Sequence, residues 1–160
     1  MSDLKLIVGP DERLTIKTNT VEFFNKALKE EIDEMYEIMD KEKGVGLAAN
    51  QVGLNKSIFI VDVPYMGTLE GGKLTKFSIR RTIINPVLIV SGDNISIPEG
   101  CLSFKGKLVK APRKKFCKVS YQNVFGQVVD EEFNGLVGIV FQHEFDHLLG
   151  VTLLDHGLKL

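Results

Sequence analysis

Between Thr20 and Glu42 the apolar residues Phe24, Leu28, Ile32, Met35 and Met39 recur at steps of three and four, with polar residues between them. This period predicts an amphipathic helix, with Thr20 as candidate N-cap and Gly44 as candidate stop. The segments 57–63 (SIFIVDV) and 82–90 (TIINPVLIV) are short β-branched runs and predict strands. Between them, residues 64–81 carry the Gly and Lys content of a surface loop. KVSYQNVFGQVVDEEF alternates on both sides of Asn123–Gly126 and predicts a hairpin. From Leu136 to Leu149, bounded by Gly135 and Gly150, apolar residues lie nearly all round a second helix. Such a helix belongs inside the protein.

These elements alternate without a βαβ rhythm, and no repeat or low-complexity segment interrupts them. The expected class is α+β: antiparallel or mixed sheets around the buried second helix, with the amphipathic helix near the N-terminus. With 160 residues, 44% hydrophobic and 26% charged, the chain fits one domain over 1–160. A net charge of −1 with both signs interspersed gives no basic face for nucleic acid or an anionic membrane. The most basic stretch, Ala111–Phe116, is expected to be a solvated turn. No signal-peptide pattern or membrane-length apolar run is present. Two cysteines, Cys101 and Cys117, form no disulfide framework, which favours a reducing compartment.

The second helix carries candidate chemistry in FQHEFDHLLG. Residues four apart lie one above the other on a helix, so His143 and His147 can meet one ion. Glu144 is turned about 100° from His143, beside the ion, where a carboxylate can handle a proton. Metal-assisted hydrolysis is the chemistry implied, against the alternative of a core helix with two incidental histidines. A metzincin-type continuation would require a third histidine where Leu153 stands. A thermolysin-type continuation would require a later glutamate, and the thirteen residues after His147 contain none. Asp155 and His156 lie just past the helix end, where the tail would have to fold back sharply. The upstream candidate is Cys101 in PEGCLSF, a soft thiolate next to Gly100, whose missing side chain lets backbone approach an ion. Cys117, in an alternating strand, reads as an ordinary core or surface cysteine. A Cys, His, His set leaves one tetrahedral position open, as in catalytic sites, whereas a closed structural site would leave Glu144 without a task.

GVGLAANQVG, residues 44–53, follows a helix and lacks the Lys-Ser/Thr of a phosphate loop, so it is not a nucleotide cradle. Its glycines allow close backbone approach, and Gln51 is either a turn residue or a donor to an oxyanion. Together, GVGLAANQ, EGCLS and QHEFDH stand in the order and at the separations of the peptide deformylase family, which the chain resembles from LIVGPDERL to GVTLLDH.

That resemblance implies Cys101, His143 and His147 as metal ligands and Glu144 as general acid/base. Gln51 and the backbone N–H of Leu102 would form the oxyanion hole, and Gly46 would hold substrate backbone. The implied substrate is the N-formyl group of a nascent polypeptide beginning with methionine. Its side chain would enter an apolar pocket with Val45, Ile97, Leu136 and Val140 as candidate linings, and Glu99 and Gly100 as further substrate-contacting positions. Ferrous iron is the implied ion, with zinc, nickel or cobalt as other occupants. A cytoplasmic monomer is expected, or an organellar matrix or stromal one after loss of a presequence, with no partner beyond substrate and a transient ribosome encounter. Asp146 or Gln142 is expected to orient a ligating histidine. Glu99 and Arg113 form a candidate pair, beside the reading of Arg113 as a surface charge. Phe104 and Lys105 depart from the family's usual small aliphatic residue and proline, which alters the entry edge. Some bacterial members of the family carry a C-terminal helix for ribosome docking, and with Leu160 as the last residue of the sequence, stable docking by that route is not expected. Two other readings are a metalloendopeptidase and an inactive formyl-peptide-binding module.

Overall fold

The computed structural model describes residues 4–156, so the two ends of the 1–160 span, Leu160 included, lie outside the described residues. In chain order the elements are α1 (Lys26–Lys41), β1 (Gly46–Ala48), β2 (Ile58–Thr68), β3 (Leu74–Ile95), β4 (Pro98–Glu99), β5 (Val109–Lys110), β6 (Arg113–Gln122), β7 (Val128–Asn134) and α2 (Gly135–Leu148). One antiparallel sheet has the order β1-β2-β3-β6-β7, and β4 and β5 pair separately. The class is α+β in a single domain, as expected.

The sheet lies between the two helices because β2 is apolar on both faces. Ile58 and Ile60 join Leu28, Ile32, Met35 and Met39 of α1 in one core. Phe59, Val61 and Val63 point the other way and pack with Val140, Phe141 and Leu148 of α2. Alternation of side chains along a strand requires this division. Phe141, with no exposed surface, stacks on Phe133 and meets Phe59 edge-on, at centroid distances of 4.5 and 5.5 Å.

Several boundaries differ from expectation. Helix α1 begins at Lys26, not after Thr20, because the Asn25 side chain accepts from Leu28 N–H at 3.0 Å and caps it. Phe24 keeps the apolar period but packs on the core from outside the helix. Residues 64–81 are mostly strand instead of loop: β2 and β3 pair from Ile58↔Ile84 out to Thr68↔Leu74, with a tip at 69–73. Ala111–Phe116 is no solvated turn, since Ala111 and Arg113 are buried and β6 starts at Arg113. The 123–126 hairpin joins β6 to β7 as predicted. Among the described residues no helix is long and apolar enough to cross a membrane.

The C-terminal carbonyls of α2 are satisfied from other elements. Thr18 donates to Leu148 O through both N–H and Oγ1, and Asn50 Nδ2 donates to His147 O at 2.6 Å. Gly150 ends the helix at φ +76°, and a Cβ there would lie 2.5 Å from Thr15 O. Gly150→Ala therefore combines a left-handed backbone with a clash against main chain, and should cost about 2 kcal/mol or more. A lowered urea midpoint with unchanged m-value is the expected reading.

Candidate active site

Three segments meet at the floor of a cavity of about 620 Å³. Helix α2 supplies His143, Glu144 and His147, all buried. Cys101 caps the short 3-10 turn Leu102–Phe104 from the next segment. The third is the bend after β1, where Gln51 is buried in a 3-10 turn over Ala49–Val52.

One ligand atom each from Cys101, His143 and His147 lies within 4.8 Å of the others, a group that could hold a metal ion. Cys101 Sγ is 3.5 Å from His147 Nε2. His143 turns Nδ1 to Glu99 Oε1 at 3.0 Å, leaving Nε2 to face inward, 3.8 Å from Glu144 Oε2. Such a carboxylate–histidine contact fixes the tautomer and orientation of a ligating ring. One thiolate and two imidazoles suit a borderline transition ion. Glu144 Oε1 and His147 Nδ1 are buried with no hydrogen-bond partner among the described residues, so the charge and polarity gathered here are not consumed internally.

The electrostatics fit a cation. Burial alone would lower the His143 pKa, but Glu144, Cys101 and Glu99 outweigh it and push it up to about 10. Burial pushes the Glu144 carboxyl up to about 7, against the pull of His143 and Arg113. His147 is held well below its ordinary value by burial, then by His143 and Arg113. The acidic groups around His143 thus favour positive charge at this point of the site.

Gln51 is anchored at both ends. Its Oε1 accepts from Ala48 N–H at 2.9 Å, and its Nε2 donates to Ser103 Oγ at 3.0 Å with Cys101 Sγ at 3.6 Å. It is a buried amide beside the thiol, not a surface turn residue. Gly46 faces Glu144 so closely that a Cβ would lie 2.5 Å from Oε2. Leu102 fills space beside Gly44.

Val45, Ile97, Leu136 and Val140 line the cavity with Gly46, Gly100 and Leu102. Glu99 also lines it, but its hydrogen bonds go to His143 and Arg113 instead of leaving it free for a ligand. The partner of a candidate ligand histidine, His143, is thus Glu99, in place of the expected Asp146 or Gln142. Asp146 binds Arg113 and His156, while Gln142 grips the main chain of Lys114. Asp155 caps Thr152, and so neither tail residue joins the donor group.

Arg113 is the residue that sequence reasoning undervalued. It holds Glu99 with two bonds of 2.9 and 2.8 Å and Asp146 with a third of 2.7 Å, buried almost completely. Its neighbours in sequence, Lys114 and Lys115, hid it within an apparently solvated run; the apolar Ala111 before it was the available signal. Arg113→Met leaves a buried carboxylate without its cation and should cost about 3–5 kcal/mol by urea unfolding. Metal affinity should fall about 10–100-fold through the loosened Glu99. Ser103, quoted in EGCLS without a role, emerges as the acceptor that orients Gln51.

Comparison with known proteins follows the same lines. Residues 4–160 match the family model described as polypeptide deformylase. A peptide deformylase of Thermotoga neapolitana is 41% identical over 146 residues, 91% of this chain and 81% of that protein. The crystal structure of the peptide deformylase from Thermotoga maritima superposes with a TM-score of 0.82 at 37% identity, covering 97% of each chain. That of Synechococcus elongatus, in complex with actinonin, gives 0.83 at 32% identity over 96% of this chain and 78% of that one. Agreement across nearly the full length in both sequence and fold places this chain in the polypeptide deformylase family.

Proposed function

We propose that this protein removes the N-formyl group from peptides beginning with formyl-methionine, releasing formate, and that residues 1–160 form one catalytic domain. The observation that carries the reading is the Cys101, His143 and His147 donor group set beside a buried Glu144 whose Oε1 has no partner. Support comes also from relatives named peptide deformylase, one of them solved with actinonin.

In this reading the three donors hold one divalent ion, ferrous in the cell, with zinc, nickel or cobalt also accommodated. When bound, the ion supplies Lewis acidity that lowers the pKa of water and polarises a carbonyl. Glu144 takes a proton from the attacking water and returns it to the departing amine nitrogen. Its burial serves this exchange, since a carboxyl raised to about 7 is matched to both halves of it. Gln51 Nε2 and the Leu102 N–H stabilise the oxyanion; Ser103 Oγ accepts a hydrogen bond from one N–H of Gln51 Nε2, and the other N–H is directed to the side of Cys101. The missing side chain of Gly46 makes room for the Glu144 carboxylate, and its backbone holds that of the substrate. The methionine side chain enters between Val45, Ile97, Leu136 and Val140, with Glu99 and Gly100 at the cavity wall. The reading includes a monomer in a reducing, cytoplasmic setting, in keeping with free Cys101 and Cys117, and a transient encounter with the ribosome that presents the nascent end.

Formate release from a formyl-Met-Ala-Ser peptide by protein loaded anaerobically with ferrous iron tests this. Release, with an unformylated peptide left intact, is expected. Cleavage of the unformylated peptide would favour an endopeptidase, and binding without formate would favour an inactive module.

A further inference from the structure

The cavity mouth carries charge that the reaction at its floor does not use. On one side Glu42 and Lys43 follow the end of α1; on the other, the turn after Cys101 brings Lys105 and Lys107 to the rim. Both sides are held in place. Lys43 adopts φ 57°, with its N–H on Asp40 O at 3.2 Å, and Gly44 N–H returns to Met39 O at 2.9 Å. Phe104 is buried with Ile7 and Leu14, its ring occupying the space a Cβ on Gly9 would need, so the turn that follows is anchored. Lys105 Nζ then reaches Glu42 Oε2 at 2.5 Å and ties the two sides together.

That bridge neutralises Lys105. Lys43 and Lys107 form no ion pair among the described residues. The carboxylates that line the cavity, Glu99 and Glu144, are buried at its floor and engaged there. The rim therefore presents two unpaired positive charges on a chain whose net charge is −1.

This inference rests on the deformylase reading, which sets the direction of the substrate. The formyl end must reach Glu144, and the methionine side chain takes the apolar wall, so the next residues leave past the rim. An extended residue advances about 3.3–3.6 Å, so the second and third residues run outward from the floor toward the side of the cavity that Lys43 and Lys107 line. We propose that Lys43 and Lys107 make the enzyme prefer formyl-methionyl peptides with aspartate or glutamate at the second or third position over those with lysine or arginine there. The pairs are solvent-exposed, so the preference is modest, roughly three- to ten-fold in kcat/KM at low ionic strength, and resides chiefly in KM. It shrinks as salt shortens the Debye length.

The test compares formyl-Met-Ala-Glu, formyl-Met-Ala-Gln and formyl-Met-Ala-Lys, all amidated at the C-terminus, on metal-loaded wild type and on the double variant Lys43→Asp/Lys107→Glu. Aspartate tolerates the left-handed backbone at position 43. The expected order in wild type is Glu, then Gln, then Lys, converging at high salt and reversing in the double variant. Equal rates for the three peptides at low salt, or an order unchanged in the double variant, would overturn the rim inference while turnover of the Gln peptide leaves the deformylase reading standing. No formate from any peptide overturns both.

Discussion

Cys101→Ser and chelator treatment are each expected to bring formate release to background, with metal content falling from one equivalent per chain to a small fraction. The donor atoms of Cys101, His143 and His147 stand within 4.8 Å of one another, so removing one leaves two imidazoles four residues apart on a single helix. Two neutral imidazoles grip a divalent ion weakly, and a serine hydroxyl is a poor substitute for a thiolate toward a borderline ion. Because Cys101 is half-buried in a capped turn, the substitution leaves the core unchanged and the urea midpoint of the metal-free protein close to wild type. Cys117→Ala is the matching control: burial pushes that thiol up to about 12, and it lies in the sheet core away from the donors. It should lose stability and keep its metal. Chelated wild type should regain activity when ferrous ion is restored, whereas Cys101→Ser should not.

Glu144→Ala is expected to lower kcat by at least about 10²–10⁴-fold, the range for general acid–base groups, while metal binding stays near one equivalent. Glu144 contributes no atom to the donor group, so metal content and activity separate in this variant as they do not in Cys101→Ser. Gly46→Ala should reproduce part of the loss, because the added Cβ would stand 2.5 Å from Glu144 Oε2 and force the carboxylate aside. Full activity in metal-loaded Glu144→Ala would remove the proposed base.

The parts of the fold visible in the sequence were those whose information is local. Period and buried character located α2 to within a residue, and the i, i+4 histidines located its chemistry. The start of α1 was missed because Phe24 continues the apolar period while Asn25 caps, and a contact with the core cannot be told from a place in the helix by spacing alone. The outer halves of β2 and β3 were missed because a two-stranded arm has little apolar demand. Its residues, with Gly71 and Gly72 at the tip, have loop composition but find their hydrogen bonds in each other. The Glu99–Arg113 pair was among the expectations and forms, but the contact of Glu99 with His143 joins residues 44 apart in sequence, and no local rule connects them. For the same reason Ser103 and Asn50, which orient Gln51 and the end of α2, passed as ordinary polar residues.

Translation delivers the donors in the order Cys101, His143, His147, and the helix bearing the last two packs against strands β1, β2, β3, β6 and β7, all made before it. Of the three donors, a growing chain therefore offers a cation Cys101 alone until α2 has been synthesised and has docked. On that order, an ion would enter a cradle already built by the sheet and α2. On the deformylase reading, building the core and loading the donors are then separate events, and the metal-free protein should still unfold cooperatively in urea.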